Sequence, residues 1–253
     1  MLKRDTICCL IVLIVLAWNP SVIGADEAGG NEATVTMIMG TARVFAAGSK
    51  TGHMLKQGDL LKKDEEIEVS DNSRLEIRFP DGTVMRLAER SHLKMNMLAF
   101  DKKTDNKNVK VYLGVGKLWA KVKKLMTPDS AVEVSMSNAV AGVRGTVYRV
   151  NVEEDKSVLV KVYDGEVYVA NLPQDAAKTA DETLHSHEVS GPHEVPPPYH
   201  EVSMEQWTEI VKAMQQISIS SEGVPSKPQD FDAKADSDDW VKWNQERDKE
   251  TTF

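Results

Sequence analysis

Four histidines lie close together in the sequence and are the residues best suited to bind a metal. They fall within 16 residues of one another: His185, His187, His193 and His200. A His-x-His pair on an extended segment can turn both rings to one side, and imidazole is a common ligand of zinc and copper. The segment is polar and proline-rich, however, and no cysteine accompanies it. We therefore treat the four histidines as weak metal candidates and predict no metal site and no cofactor.

The sequence lacks the motifs of the common enzyme classes. It contains no Gly-x-Ser-x-Gly elbow, no glycine loop for phosphate and no His-Glu-x-x-His pair. Its carboxylates show no spacing typical of a paired acid and base. Its two cysteines, Cys8 and Cys9, lie in the N-terminal segment and are removed with it if a signal is cleaved. We predict a protein that is not an enzyme; a cell-wall glycan-active enzyme is the least favoured alternative.

A cluster of lysines surrounds one tryptophan in the middle of the chain. Lys117, Lys121, Lys123 and Lys124 flank Trp119. This combination could bind an anionic polymer such as a cell-wall glycan. Strand alternation alone, however, already places such lysines outward. The pattern therefore favours the solvated face of a strand, with glycan binding as the alternative.

Residues 1–25 have the pattern of a secretory signal. Lys3 and Arg4 precede an apolar run at 7–18, which Asn19 and Pro20 end. The run is too short to cross a bilayer comfortably. We predict a periplasmic or secreted protein; the alternative is an inner-membrane anchor formed by residues 7–18. The protein would touch a membrane only if that segment stays uncleaved.

Charge divides the remaining chain into two unlike parts. Residues 26–171 carry 22 Lys and Arg against 21 Asp and Glu, whereas residues 172–253 carry 7 against 17, a net of −10. The whole chain of 253 residues has a formal net charge of −8. It lacks the basic footprint that nucleic-acid binding requires, so we predict no nucleic-acid partner.

The near-neutral part of the sequence predicts a mainly β domain over residues 34–171. Apolar residues alternate with polar ones on both sides of Pro80-Asp81-Gly82, which is typical of a hairpin. The same pattern around Asp164 and Gly165 predicts a second hairpin. We count about ten to twelve short strands. Their spacing fits a sandwich, a barrel or a stacked solenoid and does not choose among them.

The acidic part predicts a polar linker followed by a helical tail. The linker covers residues 172–201 and the tail 202–253, with one helix opening at Ser203 and a second over 237–249. The first helix would place Trp207 on an apolar face with four further residues: Met204, Ile210, Val211 and Met214. We expect both helices to dock on the β-domain, because helices this short rarely persist alone. The alternative is that Trp207, Trp240 and Trp243 contact a partner protein.

Several stretches in fixed order resemble the FecR domain. The most distinctive is Arg144-Gly145-Thr146, followed by an aromatic-containing strand. Asp81-Gly82 within a Phe-Pro-Asp-Gly-Thr turn and Asp164-Gly165 near the end also match. The resemblance covers about residues 34–171 and implies a FecR-like β-solenoid or sandwich, with solenoid-like stacking of the strands. We interpret these motif residues as determinants of the fold, because glycine supplies turn conformations that other residues resist.

The resemblance implies a periplasmic domain that receives a signal at the cell envelope. In regulators of the FecR type, the signal comes from an outer-membrane transporter and passes to a sigma factor. Only six residues precede the apolar run, so we expect no cytoplasmic anti-sigma segment there. The favoured function is therefore a non-enzymatic periplasmic binding or scaffold protein that recognises an envelope protein or polymer. The alternative is an accessory in envelope signalling.

Overall fold

The structure is a computed structural model that describes residues 30–101, 103–172 and 207–251. These residues form 17 strands and one helix. The predicted signal, nearly all of the predicted linker and the four histidines lie outside them. The elements are β1 (Ala33–Met39), β2 (Ala42–Phe45), β3 (Gly52–Met54), β4 (Leu60–Leu61), β5 (Glu66–Val69), β6 (Arg74–Arg78), β7 (Val84–Leu87), β8 (His92–Asp101), β9 (Asn106–Lys121), β10 (Ala131–Ser135), β11 (Ala139–Val143), β12 (Val147–Val152), β13 (Val158–Asp164), β14 (Glu166–Asn171), β15 (Thr208–Lys212), β16 (Gln215–Ile219), β17 (Gln229–Asp230) and α1 (Asp239–Glu250).

The strands form two hydrogen-bonded ladders that share the long strand β9. Ladder A has the order β4-β1-β6-β7-β9-β12-β13-β16-β17. Ladder B has the order β3-β2-β5-β8-β9-β10-β11-β14-β15. All pairs are antiparallel except β9 with β10. The sheet is open, since the outermost strands of each ladder pair on one side only. The fold is mainly β, as predicted; a solenoid or sandwich arrangement stays a prediction.

One hydrophobic core takes side chains from both ladders. Alternation along each strand produces it: in β6, Leu75 and Ile77 are fully buried in the core, and in β5 of ladder B so is Ile67. Valine dominates the later strands, as in β13, where Val160 and Val162 are fully buried. β-Branched side chains suit a pleated, half-buried surface. The core thus fixes which face of ladder A is turned outward.

The chain repeatedly crosses from one ladder to the other at sharp corners. Nine of these crossings contain a residue with positive φ, a conformation that glycine and Asn or Asp adopt most easily. The nine residues are Gly40, Gly58, Asp64, Asn72, Arg90, Gly116, Gly145, Gly165 and Met214. Two of these corners touch each other, since a Cβ on Gly165 would lie 2.8 Å from the carbonyl oxygen of Gly145.

The predicted hairpin around Asp81 and Gly82 is confirmed, but the one around Asp164 and Gly165 is wrong. β6 and β7 pair directly across the first turn. β13 pairs with β12 and β16, whereas β14 pairs with β11 and β15. The second turn is thus a corner between ladders, and local alternation looks the same in both cases. The region from β1 to β14 also holds fourteen strands rather than ten to twelve.

The helix predicted from Ser203 is wrong over its described part. Residues 208–212 are strand β15, and residues 215–219 are strand β16. Val211 is fully buried while Ile210 is 44% exposed, which is strand alternation rather than a helical face. Pairing with the edge of β14 decides the outcome, because tertiary context overrides a weak helical pattern.

The helix predicted over 237–249 is confirmed as α1 (Asp239–Glu250). Asp238 caps it, since its Oδ1 accepts a hydrogen bond from the backbone N–H of Val241 at 2.8 Å. Asp239 in the first turn and Arg247 and Lys249 in the last suit the helix dipole. Among the described residues, no helix is both long and apolar enough to span a bilayer.

Candidate functional site

A row of charged and aromatic side chains crosses the outer face of ladder A. The register of β6, β7, β9, β12 and β13 sets these residues side by side, and we call them the central row: Glu76, Arg86, Trp119, Arg149 and Lys161. Residues 231–251, here the C-terminal segment, include α1 and bond to every member of the row. The row is therefore a contact surface already occupied by part of the same chain.

Glu76 and Arg86 form a fully buried ion pair in the row. Arg86 Nε lies 2.7 Å from Glu76 Oε2, and the two side chains are 0% and 1% exposed. Thr36 Oγ1 donates to Glu76 Oε1 at 2.7 Å, and Arg247 Nη2 donates to the same oxygen at 3.1 Å. Burial alone would raise the pKa of Glu76, but the hydrogen bonds from Arg86, Thr36 and Arg247 outweigh it and lower that pKa.

Arg86 also binds the end of α1. Its Nη1 lies 2.6 Å from Asp248 Oδ1, and its Nη2 donates to Thr251 Oγ1 at 3.3 Å. A guanidinium has five N–H donors and stays charged, so it can serve two carboxylates in a fixed geometry. Arg86 thus links Glu76 in ladder A to the last turn of α1.

Trp119 and Lys121 complete the contact with the last turn. The indole Nε1 of Trp119 donates to Asp248 Oδ2 at 3.0 Å. Lys121 Nζ donates to the backbone carbonyl oxygens of Asp248 at 2.8 Å and Thr251 at 2.6 Å. A cation beside carbonyls at a helix C-terminus is stabilising, because it pairs groups that lack a partner within the helix.

A second ionic cluster holds the segment that leads into α1. Asp236 Oδ1 lies 2.7 Å from Arg149 Nη2 and 3.0 Å from Lys161 Nζ, and Tyr163 Oη donates to Oδ2 at 2.6 Å. Burial by itself would raise the pKa of Asp236, but the bonds from Tyr163 and Lys161 and the charge of Arg149 lower it. Burial and the bond to Asp236 raise the pKa of the Tyr163 phenol.

Aromatic rings pack between and beside the two ionic clusters. Tyr163 lies against Trp119 with ring centroids 4.5 Å apart, and its ring is nearly perpendicular to that of Phe231 with centroids 5.5 Å apart. Trp240 and Trp243 stack at 5.4 Å. The guanidinium of Arg74 lies 5.0 Å from the ring centre of Trp243 and 5.7 Å from that of Trp240, close enough for a cation–π attraction.

The chemistry of this surface is recognition of carboxylates and indoles. Glu76 and Asp236 are paired with cations and stay ionised, so neither is poised near neutral pH as a general acid or base. The face offers guanidinium, ammonium and indole N–H donors in a fixed row. What it binds in the structure is an acidic segment that carries two tryptophans.

A cleft of about 1100 Å³ opens where α1 begins. Arg74, Arg90 and Lys117 line it together with Glu89 and Asp239. Both signs of charge are present, so its lining favours no single class of ligand.

The strands of the central row lie in a region that matches a known protein family. Residues 65–168 match the model of the family described as FecR protein. This part of the chain is therefore similar to a FecR domain. The matched range runs from β5 into β14, so it includes all five strands of the central row. Strands β1–β4 precede the match but pair with it through β6 and β5.

Two solved structures are similar to this chain. They are crystal structures of a candidate anti-sigma factor from Parabacteroides distasonis ATCC 8503, with TM-scores of 0.45 and 0.44 and sequence identities of 18% and 16%. Each alignment covers 67% of this chain and 61% of the other, so the match spans less than two thirds of those chains. No curated protein matches the sequence.

The Arg144-Gly145-Thr146 motif of the FecR domain forms a corner between ladders. Gly145 has φ +85°, and a Cβ there would lie 2.8 Å from the Cα of Lys124. Thr146 Oγ1 donates to the carbonyl oxygen of Glu166 at 2.9 Å, and Arg144 Nη2 donates to that of Thr127 at 2.8 Å. These contacts join neighbouring segments of backbone and do not involve the C-terminal segment.

The two other predicted motifs also lie at turns. Gly82 has φ +93°, and Asp81 accepts hydrogen bonds from the N–H and hydroxyl of Thr83 at 2.9 and 2.8 Å. Gly165, at φ +82°, follows Asp164 at the corner between β13 and β14. These residues set the conformation of turns that lie outside the central row.

The three candidate tryptophans lie at two separate places. Trp240 is 5% exposed and packs with Val241, Trp119 and Ala88 in a small cluster of its own. Trp243 is half-buried beside it. Trp207 lies elsewhere, against the main core, and its Nε1 donates to the carbonyl oxygen of Gly223 at 3.2 Å. The structure therefore brings Trp240 and Trp243 together but not Trp207.

The prediction of a solvated lysine face is wrong for part of the lysine cluster. Trp119 is 1% exposed, and Lys121 bonds to the end of α1. Lys123 and Lys124 are exposed, as predicted. The difference arises because α1 covers the outer face of ladder A, which strand alternation alone cannot reveal.

Sequence reasoning missed the most important residues of the row. Glu76 lies five residues before Asp81 and Arg86 five residues after it, so hairpin register could have shown that they face each other. No local signal joins Arg149 to Asp236. Among the residues that the structure describes, no group of three His, Cys, Asp or Glu could hold a metal ion.

Proposed function

We propose that this protein is a non-enzymatic regulator of the cell envelope whose FecR domain acts by binding another protein. The observation that carries the proposal is the match of residues 65–168 to the FecR family. Regulators of that type pass a signal received at the envelope to a sigma factor. The chain would be a periplasmic or secreted accessory in such a pathway.

The central row supports a role in binding rather than catalysis. Its charged groups are paired with each other and with the C-terminal segment, and Glu76 and Asp236 are held ionised. A scaffold that binds an envelope protein or glycan without signalling is the second candidate. Lys123 and Lys124 favour this second candidate, because they stay exposed on the FecR domain and offer cations to an anionic polymer.

Deletion of the gene tests the proposed function. We expect transcription of a transporter or stress operon to change under iron limitation or envelope stress. A copy encoding the wild-type chain should restore the pattern, whereas a copy with Asp236→Asn should not, because it loosens the segment on the row. Asp232→Asn is the matched control, since Asp232 is exposed in the same segment.

An unchanged transcriptome under both stresses contradicts the signalling role. If crosslinking in such cells still recovers an envelope partner, the scaffold function takes its place.

A further inference from the structure

The C-terminal segment is attached to ladder A by two ionic clusters and one small apolar cluster. The buried apolar residues at the contact are few: Ala88, Trp119, Trp240 and Val241. They form a cluster separate from the main core that joins the two ladders. The segment can therefore leave the face without opening that core.

The segment is also an incomplete partner for the face that it covers. Arg149 is 5% exposed, yet its Nε and Nη1 donate no hydrogen bond within the described chain; Nη1 has only Asp238 Oδ2 at 3.8 Å. The buried Nε1 of Trp240 likewise has no acceptor among the described residues. Buried donors without acceptors are costly. A ligand with better placed carboxylates would satisfy more of the face than the segment does.

The charges of the face define the ligand that it fits. Arg74, Arg86, Lys121, Arg149 and Lys161 present five cations, and Glu76 offsets one of these charges through its pair with Arg86. The C-terminal segment pairs with these cations through Asp236, Asp238, Asp239 and Asp248. It also contributes a stacked pair of tryptophans. Charge complementarity and aromatic packing on arginine are thus both used in the chain itself.

We propose that the outer face of ladder A is a binding surface for an acidic, tryptophan-containing segment of a partner protein, and that residues 231–251 occupy it until the partner displaces them. This inference rests on the proposed function and names the surface and the partner class. The partner's carboxylates pair with the cations of the row and accept hydrogen bonds from the unpaired donors of Arg149. The released C-terminal segment then becomes exposed.

A peptide-binding experiment with full-length protein tests the proposal. The probe is a labelled peptide of residues 231–251, and the control probe carries Asp236→Asn and Asp248→Asn. The proteins are the wild type and a loosened chain with the same two substitutions. Fluorescence anisotropy should show at least about tenfold tighter binding of the acidic peptide to the loosened chain, because its own segment competes less. The control peptide should bind neither chain measurably.

Two further measurements keep the proposal falsifiable. Adding Arg149→Ala to the loosened chain should remove the binding. If the loosened chain does not fold, wild-type protein with excess unlabelled acidic peptide should show faster hydrogen exchange in α1, while the ladders stay protected.

Three results would overturn the proposal. They are equal peptide binding by wild-type and loosened chains, unchanged α1 exchange at saturating peptide, and a loosened chain that dimerises instead of binding peptide. The last result would assign the face to a second copy of this chain. None of these results bears on transcription, so failure here is distinguishable from failure of the proposed function.

Discussion

Arg86 Nη1 and Asp248 Oδ1 lie 2.6 Å apart although 162 positions separate the two residues in the chain. The same guanidinium holds Glu76 at 2.7 Å, and its side chain is 0% exposed. One buried arginine therefore ties ladder A to the last turn of α1. The docking of the C-terminal segment and the pairing of Glu76 within ladder A therefore use the same guanidinium.

Arg86→Met should destabilise the fold by about 3 kcal/mol, because it leaves Glu76 buried without its main partner. Urea unfolding measures the change. Arg78→Met, an exposed arginine on the same hairpin, is the control and should change the free energy of unfolding by less than about 0.5 kcal/mol. Adding Glu76→Gln should restore part of the loss, since the two residues are coupled. Additive effects of the two substitutions would contradict this account.

Gly145→Ala should destabilise the fold, whereas Gly142→Ala should not. At Gly145 a side chain must adopt φ +85° and meets the Lys124 backbone, so we expect a loss of about 2 kcal/mol. Gly142 lies in β11 with open space around the added methyl, so alanine there should be neutral or stabilise by about 0.5 kcal/mol. Thermal unfolding compares the two variants. Equal losses would show that the corner conformation does not explain the motif.

The strands and turns of the FecR-like region were largely predictable, but the partners of the strands were not. Alternation of apolar residues in β6 and β13 and glycine at the turns are local signals. Whether a turn such as Asp164-Gly165 makes a hairpin or a corner depends on which strands lie alongside. Packing of the whole core determines which strands lie alongside, and a short stretch of sequence carries no signal for it.

Acid should loosen the C-terminal segment. Folding lowers the pKa values of Glu76 and Asp236, so the unfolded chain binds more protons at mildly acidic pH. The stability that these carboxylates supply is complete above their ordinary pKa of about 4 and is lost as the pH falls through the lowered values. Urea midpoints between neutral pH and pH of about 3 measure it. Asp236→Asn should flatten the curve, whereas an equally steep curve would show that Asp236 is not the titrating group.

Trp240→Ala should detach α1 with little effect on the ladders. Trp240 is 5% exposed and supplies most of the apolar contact beneath the helix, so we expect a local loss of about 3 kcal/mol. Hydrogen exchange of α1 measures local opening. Lys242→Ala, an exposed position between the two stacked tryptophans, is the control and should leave exchange nearly unchanged. Equal effects of both substitutions would mean that indole packing does not hold the helix.

The candidate site was predictable only in fragments. The dipole pattern and tryptophans of α1 were visible in the sequence, and so was the lysine cluster around Trp119. The pairing of Arg149 with Asp236 joins residues 87 positions apart and has no local signal. The helix expected at Ser203 failed for the same reason, since the free edge of β14 decided the structure of residues 208–212.

Hydrogen exchange of residues 241–250 in the wild-type protein tests the central claim most directly, because those amides are protected only if α1 stays docked on the central row. We predict slow exchange at neutral pH in the wild type and at least about tenfold faster exchange in the Asp236→Asn, Asp248→Asn variant, with β6, β7 and β12 still protected in both. Rapid exchange of α1 in the wild type, or equal protection in the variant, would contradict the account.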